Sequence, residues 1–354
     1  MLQLSESTSS RMAAPVTPRA ALDRAVATVA DASRAFARLS VSAKIGLLRT
    51  VEHALTGVTH AWVRRGCEAK GLRTSGPDTA EEWLSGPVPV LRNVRLLRQS
   101  LEHIERDGRP PLGRGSRRRR DGRIEVDVLP AGPYDAVLLR GVVCRALFQQ
   151  GLDEWSVRQR QASFYQAKAP EGRVSVVLGA GNVSSIPAMD ILHKMFVEGR
   201  ACVLKMNPVN DWVGPFLEQG LAALIGDGYL RVVYGGAEVG EYLCGHPSVD
   251  DIHITGSNRT HDLIVWGPPG PERERRMRLN DPLLKKTITS ELGNVSPVVI
   301  VPGSYTEEEL WFQARYLATM VINNASFNCN AAKLLVTARG WAQRAPFLDL
   351  VAKA

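Results

Sequence analysis

The side chains that could carry out a reaction lie in the second half of the chain. Cys329 stands in a polar loop, NNASFNCNA (323–331), between the apolar stretches LATMVI and AKLLV. An inert cysteine is usually packed among Leu and Val as a small hydrophobe. Here amides and a hydroxyl surround the thiol, a setting in which a thiolate can act as nucleophile. Upstream, Glu291 follows an extended stretch at 286–290 and precedes Leu292-Gly293. A carboxylate there can take a proton from water as a general base, or be an ordinary loop acid. Asn182 lies in GAGNVSS (179–185), directly after the β-branched run 174–178. Its amide can donate to a developing oxyanion or cap a turn.

A second group of residues suits a nucleotide. GAGNVS approximates the dinucleotide fingerprint G-x-G-x-x-G, with Ser184 in place of the third glycine. That fingerprint also expects an acid about 20 positions on, and the next strand ends instead at Lys205. Its ammonium can donate to ribose oxygens and tolerate a 2′-phosphate, or sit at a strand end in water. Thr255-Gly256-Ser257 ends a further strand and opens a helix, placing backbone N–H groups and a hydroxyl where phosphate binds.

Alternating strands and helices position these groups. From residue 172, strands at 174–178, 201–205, 229–234 and 251–255 alternate with helices through 197, at 212–225 and at 237–244. That order predicts a parallel sheet with right-handed crossovers, an α/β, Rossmann-like doubly wound architecture. A further strand at 298–301 and a helix at 306–322 lead to the cysteine loop. Before residue 106 the pattern is helical, with two amphipathic helices over 17–57, a third over 59–70 and a fourth over 89–105. Residues 106–122, rich in Gly, Pro and Arg, form a linker or flap. Ile124, Val126 and Val128 alternate with charges as a half-buried strand, and 134–139 is expected to return as its partner, giving a hairpin that can pair with another subunit.

Composition narrows the functional classes. The five cysteines are odd in number and scattered, so they form no disulfide framework, and no CxxC or Cys/His spacing suggests a metal. A reducing cytoplasm fits. No stretch of about 18 apolar residues marks a membrane span. Net charge is +8, with six arginines and one aspartate in RGSRRRRDGR (114–123). Without aromatic stacking groups nearby, this reads as a solvated, mobile loop rather than a nucleic-acid surface.

Taken together, the order Asn182, Lys205, Gly256-Ser257, Glu291-Leu292-Gly293, Asn324…Cys329 resembles the aldehyde dehydrogenase superfamily. GNVSSIPAMDILHKMFVEGRACVLKMNP resembles the segment with the oxyanion-binding asparagine and ribose-binding lysine. GGAEVGEYLCGHPSVDDIHITGS, with Gly236 and Gly240, resembles the segment running to the nucleotide turn. SELGNVSPVVIV resembles the general-base segment E-L-G-G-x-S-P, and NASFNC the nucleophile segment N-x-G-Q-x-C. The resemblance covers roughly 17–340, most strongly from 172 onward. It implies catalytic roles for Cys329, Glu291 and Asn182, and cofactor contacts from Lys205, Gly236, Gly240, Gly256, Ser257 and Leu292. It implies NAD or NADP as cofactor and oxidation of an aldehyde to a carboxylic acid through a thioester. The alternatives are an acyl-CoA or fatty-acyl reductase using the same cysteine, and a non-catalytic nucleotide-binding remnant.

Departures from the pattern are informative. Pro208 stands where many NAD-preferring members carry a ribose-binding glutamate, and His261 replaces the glycine after the GS turn. ELGN replaces ELGG, and Ser326-Phe327 replaces Gly-Gln before the cysteine. Phe327 favours an apolar or aromatic aldehyde. Members of the superfamily continue well beyond the nucleophile, so a chain ending at Ala354 is expected to be a fragment or shortened form of a homo-oligomeric parent. The expected division is a disordered 1–16, a helical part of the cofactor domain at 17–105, a basic flap and hairpin at 106–170, a Rossmann-like cofactor-binding domain at 171–284, and the beginning of a second α/β catalytic domain at 285–354.

Overall fold

A computed structural model describes residues 14–354. The disorder expected over 1–16 falls, for residues 1–13, outside the described residues, and Ala14 donates its N–H to Asp211 Oδ2 at 3.0 Å. Helix α1 (Arg19–Arg38) and the long α2 (Val41–Lys70) come first. The helices expected on either side of residue 58 are one. Leu55, Val58, Thr59, Trp62 and Val63 keep a single buried face running past Gly57, and no proline interrupts it. Ser40 caps the start of α2, and Gly71 ends it in the left-handed conformation at φ 68°. A short helix not expected from the sequence, α3 (Thr79–Ser85), precedes α4 (Pro87–Asp107).

The arginine-rich segment is ordered into strand β1 (Ser116–Arg118), antiparallel to β2 (Ile124–Leu129). This corrects the mobile loop expected there: Arg117 and Arg119 both donate to the buried Glu125 carboxylate, which gives part of the charge a fixed partner. The expected returning strand at 134–139 is instead helix α5 (Pro133–Leu138). Pro133 supplies a pre-set helical φ at its start. Asp135, buried and paired with Arg92 at 2.6 Å, accepts the Ala131 N–H at 2.9 Å. The partner of β2 is β3 (Cys144–Leu147), followed by α6 (Glu154–Arg160).

The central sheet contains β4 (Val174–Leu178), β5 (Ala201–Lys205), β6 (Leu230–Val233), β7 (Asp251–Gly256) and β8 (Thr287–Leu292), all parallel, in the order β6-β5-β4-β7-β8. The intervening helices are α7 (Ile186–Phe196), α8 (Gly214–Gly220), α9 (Ala222–Gly226), α10 (Ala237–Gly245), α11 (Asn258–Trp266) and α12 (Pro271–Leu279). The helix expected over 212–225 is divided into α8 and α9 at Leu221. Both faces of the sheet are covered at its central strands, while the edge strand β8 is largely exposed. Val177, Cys202 and Leu204 pack with α2, α4, α7 and α8 on one side, while Val174, Val176 and Val203 pack with α1 and α10 on the other. Every residue of β4 and β5 is buried, which explains their near-continuous apolar runs. The chain runs outward from β4 through β5 to β6, then returns to add β7 on the far side of β4. The β4–β7 boundary is therefore the topological switch point, where ligands bind at the carboxyl edge.

Beyond the sheet, β9 (Pro297–Ile300), α13 (Glu307–Ile322), β10 (Leu334–Thr337) and α14 (Arg344–Lys353) form a small α/β layer. β9 and β10 pair in parallel, and Leu310, Leu317, Trp341 and Phe347 make their own cluster. A capping box between Thr306 and Glu309 fixes the start of α13. No helix among the described residues is long and apolar enough to cross a membrane.

One buried charge bears on stability. Lys44 of α2 is 1% exposed, donates to the Ala37 and Leu39 carbonyls at 3.3 Å each, and faces the rings of Phe36, Phe164 and Tyr165. Burial pushes its pKa down to about 8. An unfolded chain holds that proton to about 10.4. Between these values the unfolded state binds the extra proton, so stability rises with pH; below about 8 the folded state bears the full cost of the buried charge. Lys44→Met is expected to raise the melting temperature at pH 7, by a margin that narrows as pH climbs from 8 to 10. Thermal melts across that range test this, and a margin independent of pH would show that the buried proton is not the cause.

Candidate active site

A cleft of about 1060 Å³ opens at the carboxyl ends of β4, β7 and β8. Asn182, Gly256, Ser257, Glu291, Leu292 and Cys329 all line it. These residues are spread over about two-fifths of the sequence, and those of the sheet meet because parallel strands deliver their carboxyl ends and following turns to one edge. Asn182 comes off β4, and Gly256 ends β7. Glu291 lies within the end of β8, in register with Thr255, rather than just beyond a strand, and it is exposed. Cys329 arrives from the other layer, where α13 ends and the chain turns back toward β10.

The cysteine loop has an unusual backbone. Asn324, Ala325 and Ser326 are consecutively left-handed, with φ of 52°, 49° and 67°. For residues with a Cβ this costs on the order of 1 kcal/mol or more each. Ser326 replaces the glycine expected in the motif it resembles, which would take this φ without strain. Cys329 is half-buried, and its Sγ lies 3.6 Å from Asn328 Oδ1 and 3.9 Å from Asn330 Oδ1. Ser296 Oγ donates to the Cys329 carbonyl at 3.3 Å.

Asn182 does not cap a turn. Its Nδ2 donates to the Phe327 carbonyl at 2.9 Å, and its own carbonyl accepts from Asn324 Nδ2 at 2.8 Å. The amide that could hold an oxyanion is thus aimed at the cysteine loop. Ser257 serves as the N-cap of α11, its Oγ accepting from the Arg259 N–H at 3.1 Å.

Lys205, Gly236 and Gly240 do not line this cleft. Lys205 ends β5 next to β4 and β6 and is 8% exposed. Burial lowers its pKa, and the Glu238 charge opposes that shift. Gly236 and Gly240 begin α10, where the Gly236 N–H donates to Glu238 Oε1 at 3.0 Å.

Other groups at the cleft were not singled out from the sequence. Lys70 and Glu81 line it from the N-terminal helices, and Asp190 from α7. Asp190 Oδ2 accepts from Thr255 Oγ1 at 2.8 Å and lies 3.5 Å from His253 Nε2. His253 Nδ1 is 2.8 Å from Thr289 Oγ1. The period of two along β7 puts His253 on the same face as Thr255, a signal present in the sequence. Lys70 and Glu81 sit in an ordinary helical pattern that offers none. No group of residues that could hold a metal ion occurs among the described residues.

Comparison with known proteins points the same way. The model of the aldehyde dehydrogenase family matches residues 145–353. The 4-trimethylaminobutyraldehyde dehydrogenase A of Danio rerio is 34% identical over 173 residues, 49% of this chain and 31% of that protein. The 4-trimethylaminobutyraldehyde dehydrogenase of Oryzias latipes is 32% identical over 137 residues, 38% and 24% of the two chains. A mutant of aldehyde dehydrogenase C from Pseudomonas syringae, solved with NAD+ and octanal, superposes with a TM-score of 0.60 at 17% identity, covering 94% of this chain and 54% of that one. The NADP-dependent glyceraldehyde-3-phosphate dehydrogenase of Bacillus halodurans, solved with NADP, gives 0.59 at 14% identity, with 96% and 57% covered. The matched stretch thus spans less than a third of either curated relative, and the chain about half the length of these solved structures. The family model takes in more than half of the sequence, including the segments around Asn182, Glu291 and Cys329, and the chain belongs to the aldehyde dehydrogenase family.

Proposed function

We propose that this chain oxidises an aldehyde to a carboxylic acid with NAD or NADP, and that Cys329 and the carboxyl edge of the sheet supply the nucleophile and the cofactor-facing surface. The observation that carries this reading is the meeting of Cys329, Asn182 and Glu291 in one cleft at the switch point of a parallel sheet. The residues present fit a dinucleotide: Gly256 and the capped N-terminus of α11 face the cleft beside Leu292, where phosphate groups meet free backbone donors. Lys205 and the Gly236–Gly240 turn follow the same sheet edge farther out. When bound, the dinucleotide supplies the acceptor for the substrate hydride.

The chain's own residues divide the remaining work. The Cys329 thiolate adds to the aldehyde carbon, forming a hemithioacetal. Asn182 Nδ2 exchanges the Phe327 carbonyl for the new oxyanion, joined by a backbone N–H near Cys329. Once the carbon is oxidised to a thioester, Glu291, open to the cleft, takes a proton from water, and hydroxide displaces the thiolate. That base favours hydrolysis over transfer of the acyl group to coenzyme A. Phe327, Ile186, Met189 and Trp212 line the cleft with apolar surface, suited to an aldehyde with an apolar chain.

Aldehyde-dependent formation of NADH or NADPH by the chain tests this directly. Cys329→Ala is expected to reduce the rate to background. Glu291→Gln should slow steady turnover about 100-fold while leaving a first burst of reduced cofactor and an acylated Cys329 detectable by mass. Persistence of turnover in Cys329→Ala would overturn the reading, and NADPH-dependent consumption of an acyl-CoA without aldehyde oxidation would replace it with the reductase. Lys205→Met is expected to raise the KM for the dinucleotide about tenfold, the loss of one charge-assisted hydrogen bond. An unchanged KM with a lowered melting temperature would assign Lys205 to packing alone.

A further inference from the structure

We infer that Lys70 and Glu81, on the N-terminal helices, are positioning residues for the nucleophile: they form a bracket that holds the Cys329 loop in its working geometry. This rests on the reading of Cys329 as the nucleophile, but its test does not require turnover. The loop's hub is Asn324, 4% exposed. Its main-chain N–H and both side-chain polar groups are engaged by distant segments. The main-chain N–H donates to Glu81 Oε1, Oδ1 accepts from Lys70 Nζ at 2.6 Å, and Nδ2 donates to the Asn182 carbonyl at 2.8 Å. Asn323 Nδ2 donates to the same Glu81 oxygen at 3.1 Å.

The bracket is itself anchored. Lys70 pairs with Glu82, which is 1% exposed. The chain makes room for that carboxylate at Gly66, where a Cβ would collide with Glu82 Oε2, and for the Glu82 main chain at Gly86, where a Cβ would lie 2.6 Å from the Glu82 carbonyl. The same neighbourhood grips the Asn182 turn, through Ser185 N–H to the Ser85 carbonyl at 3.1 Å and Trp62 Nε1 to Ser184 Oγ at 3.0 Å. Both halves of the oxyanion-forming apparatus, the Asn182 turn and the cysteine loop, are therefore referenced to α2 and α3.

Three left-handed residues in a row explain why an external hold is needed. Such conformations persist only where the surroundings over-determine them. Within the loop, Phe327 N–H to the Asn324 carbonyl at 2.8 Å and Ser326 N–H to the Ile322 and Asn323 carbonyls at 3.3 and 3.1 Å close the turn on itself but do not aim it. Loss of either bracket residue leaves the covalent chemistry intact and releases its aim. Cys329 then gains exposure and sheds the two carboxamide oxygens beside its Sγ, so it meets a small reagent more readily while meeting a bound aldehyde less well.

The five cysteines make this measurable. Under native conditions the intact chain, Lys70→Met, Glu81→Gln and Lys70→Arg are treated briefly with iodoacetamide, and each cysteine-containing peptide is quantified by mass. Cys144 is exposed and serves as reference, while Cys67, Cys202 and Cys244 are buried and report global opening. The expected result is a rise of about fivefold or more in the Cys329-to-Cys144 ratio for Lys70→Met and Glu81→Gln, with the buried three still protected and Lys70→Arg near the wild-type ratio. Aldehyde turnover should fall in the same variants without a change in the dinucleotide KM. An unchanged ratio in both variants, or a rise shared by the buried cysteines, overturns the bracket. Absence of turnover in the wild type would defeat the proposed function while the labelling still decides this inference.

Discussion

The ladder that ties β4 to β5 on one side and to β7 on the other sets everything else. β4 is buried on both faces, so its register admits no slip: a shift of one residue would exchange the side chains facing the two helical layers. A polar knot at the amino end of the sheet reinforces this. Ser175 Oγ donates to Asp251 Oδ1 at 2.7 Å, Lys194 Nζ lies 3.5 Å from the same oxygen, and the Val174 N–H donates to Asp250 Oδ2 at 2.7 Å. Buried ion pairs add little net stability, but breaking one partner is costly. Such a knot specifies which strand lies beside β4. With β4 and β7 locked as neighbours, the turns carrying Asn182 and Gly256-Ser257 must share one edge.

From that edge, the hierarchy of forces changes. Inside the sheet the hydrophobic clusters on the two faces dominate, and polar contacts choose among packings. At the carboxyl edge apolar contacts thin out, and position is set by single hydrogen bonds between segments far apart in sequence. Asn182 to Phe327, Asn324 to Asn182, and Lys70 and Glu81 to Asn324 form one connected chain. Each link is worth about 1 kcal/mol net, more where a charge takes part. The cleft is thus held by directional contacts between remote segments, where the scaffold is held by buried apolar surface.

Much of the scaffold was legible because burial on two faces writes itself into composition. The runs at 174–178 and 201–205 read as interior strands and are interior parallel strands, and motif order picked out Asn182, Glu291 and Cys329, which share one cleft. The misread elements share a cause: they are decided by contacts made at a distance. Residues 134–139 look extended, yet Asp135 finds Arg92 and the chain coils into α5. The arginine run looks like a loop, and though it stays exposed, part of it pairs with β2 as β1 while Arg117 and Arg119 reach Glu125. Gly57 looks like a helix boundary, yet the buried face of α2 carries straight past it. Lys70 and Glu81 were invisible for the same reason, since nothing local distinguishes a helical lysine that reaches solvent from one that reaches Asn324.

The loop around Cys329 is where local preference and global structure disagree most. A glycine at 326 would accept φ near 67° freely, and this chain places a serine there, after an alanine and an asparagine that are also left-handed. Consistent sequences avoid such conflicts except where function or a compensating contact supports them. The compensation here is traceable to named atoms: a carboxylate on α3, an ammonium on α2 and the glycines that let Glu82 stand behind it. Replacing local permissiveness with an external hold changes how the site responds to its neighbours. A glycine-built loop would adopt its turn on its own, whereas this one depends on the N-terminal helices being docked. The shape of the Cys329 loop is in this way coupled to the docking of α2 and α3, through the contacts of Lys70 and Glu81 with Asn324.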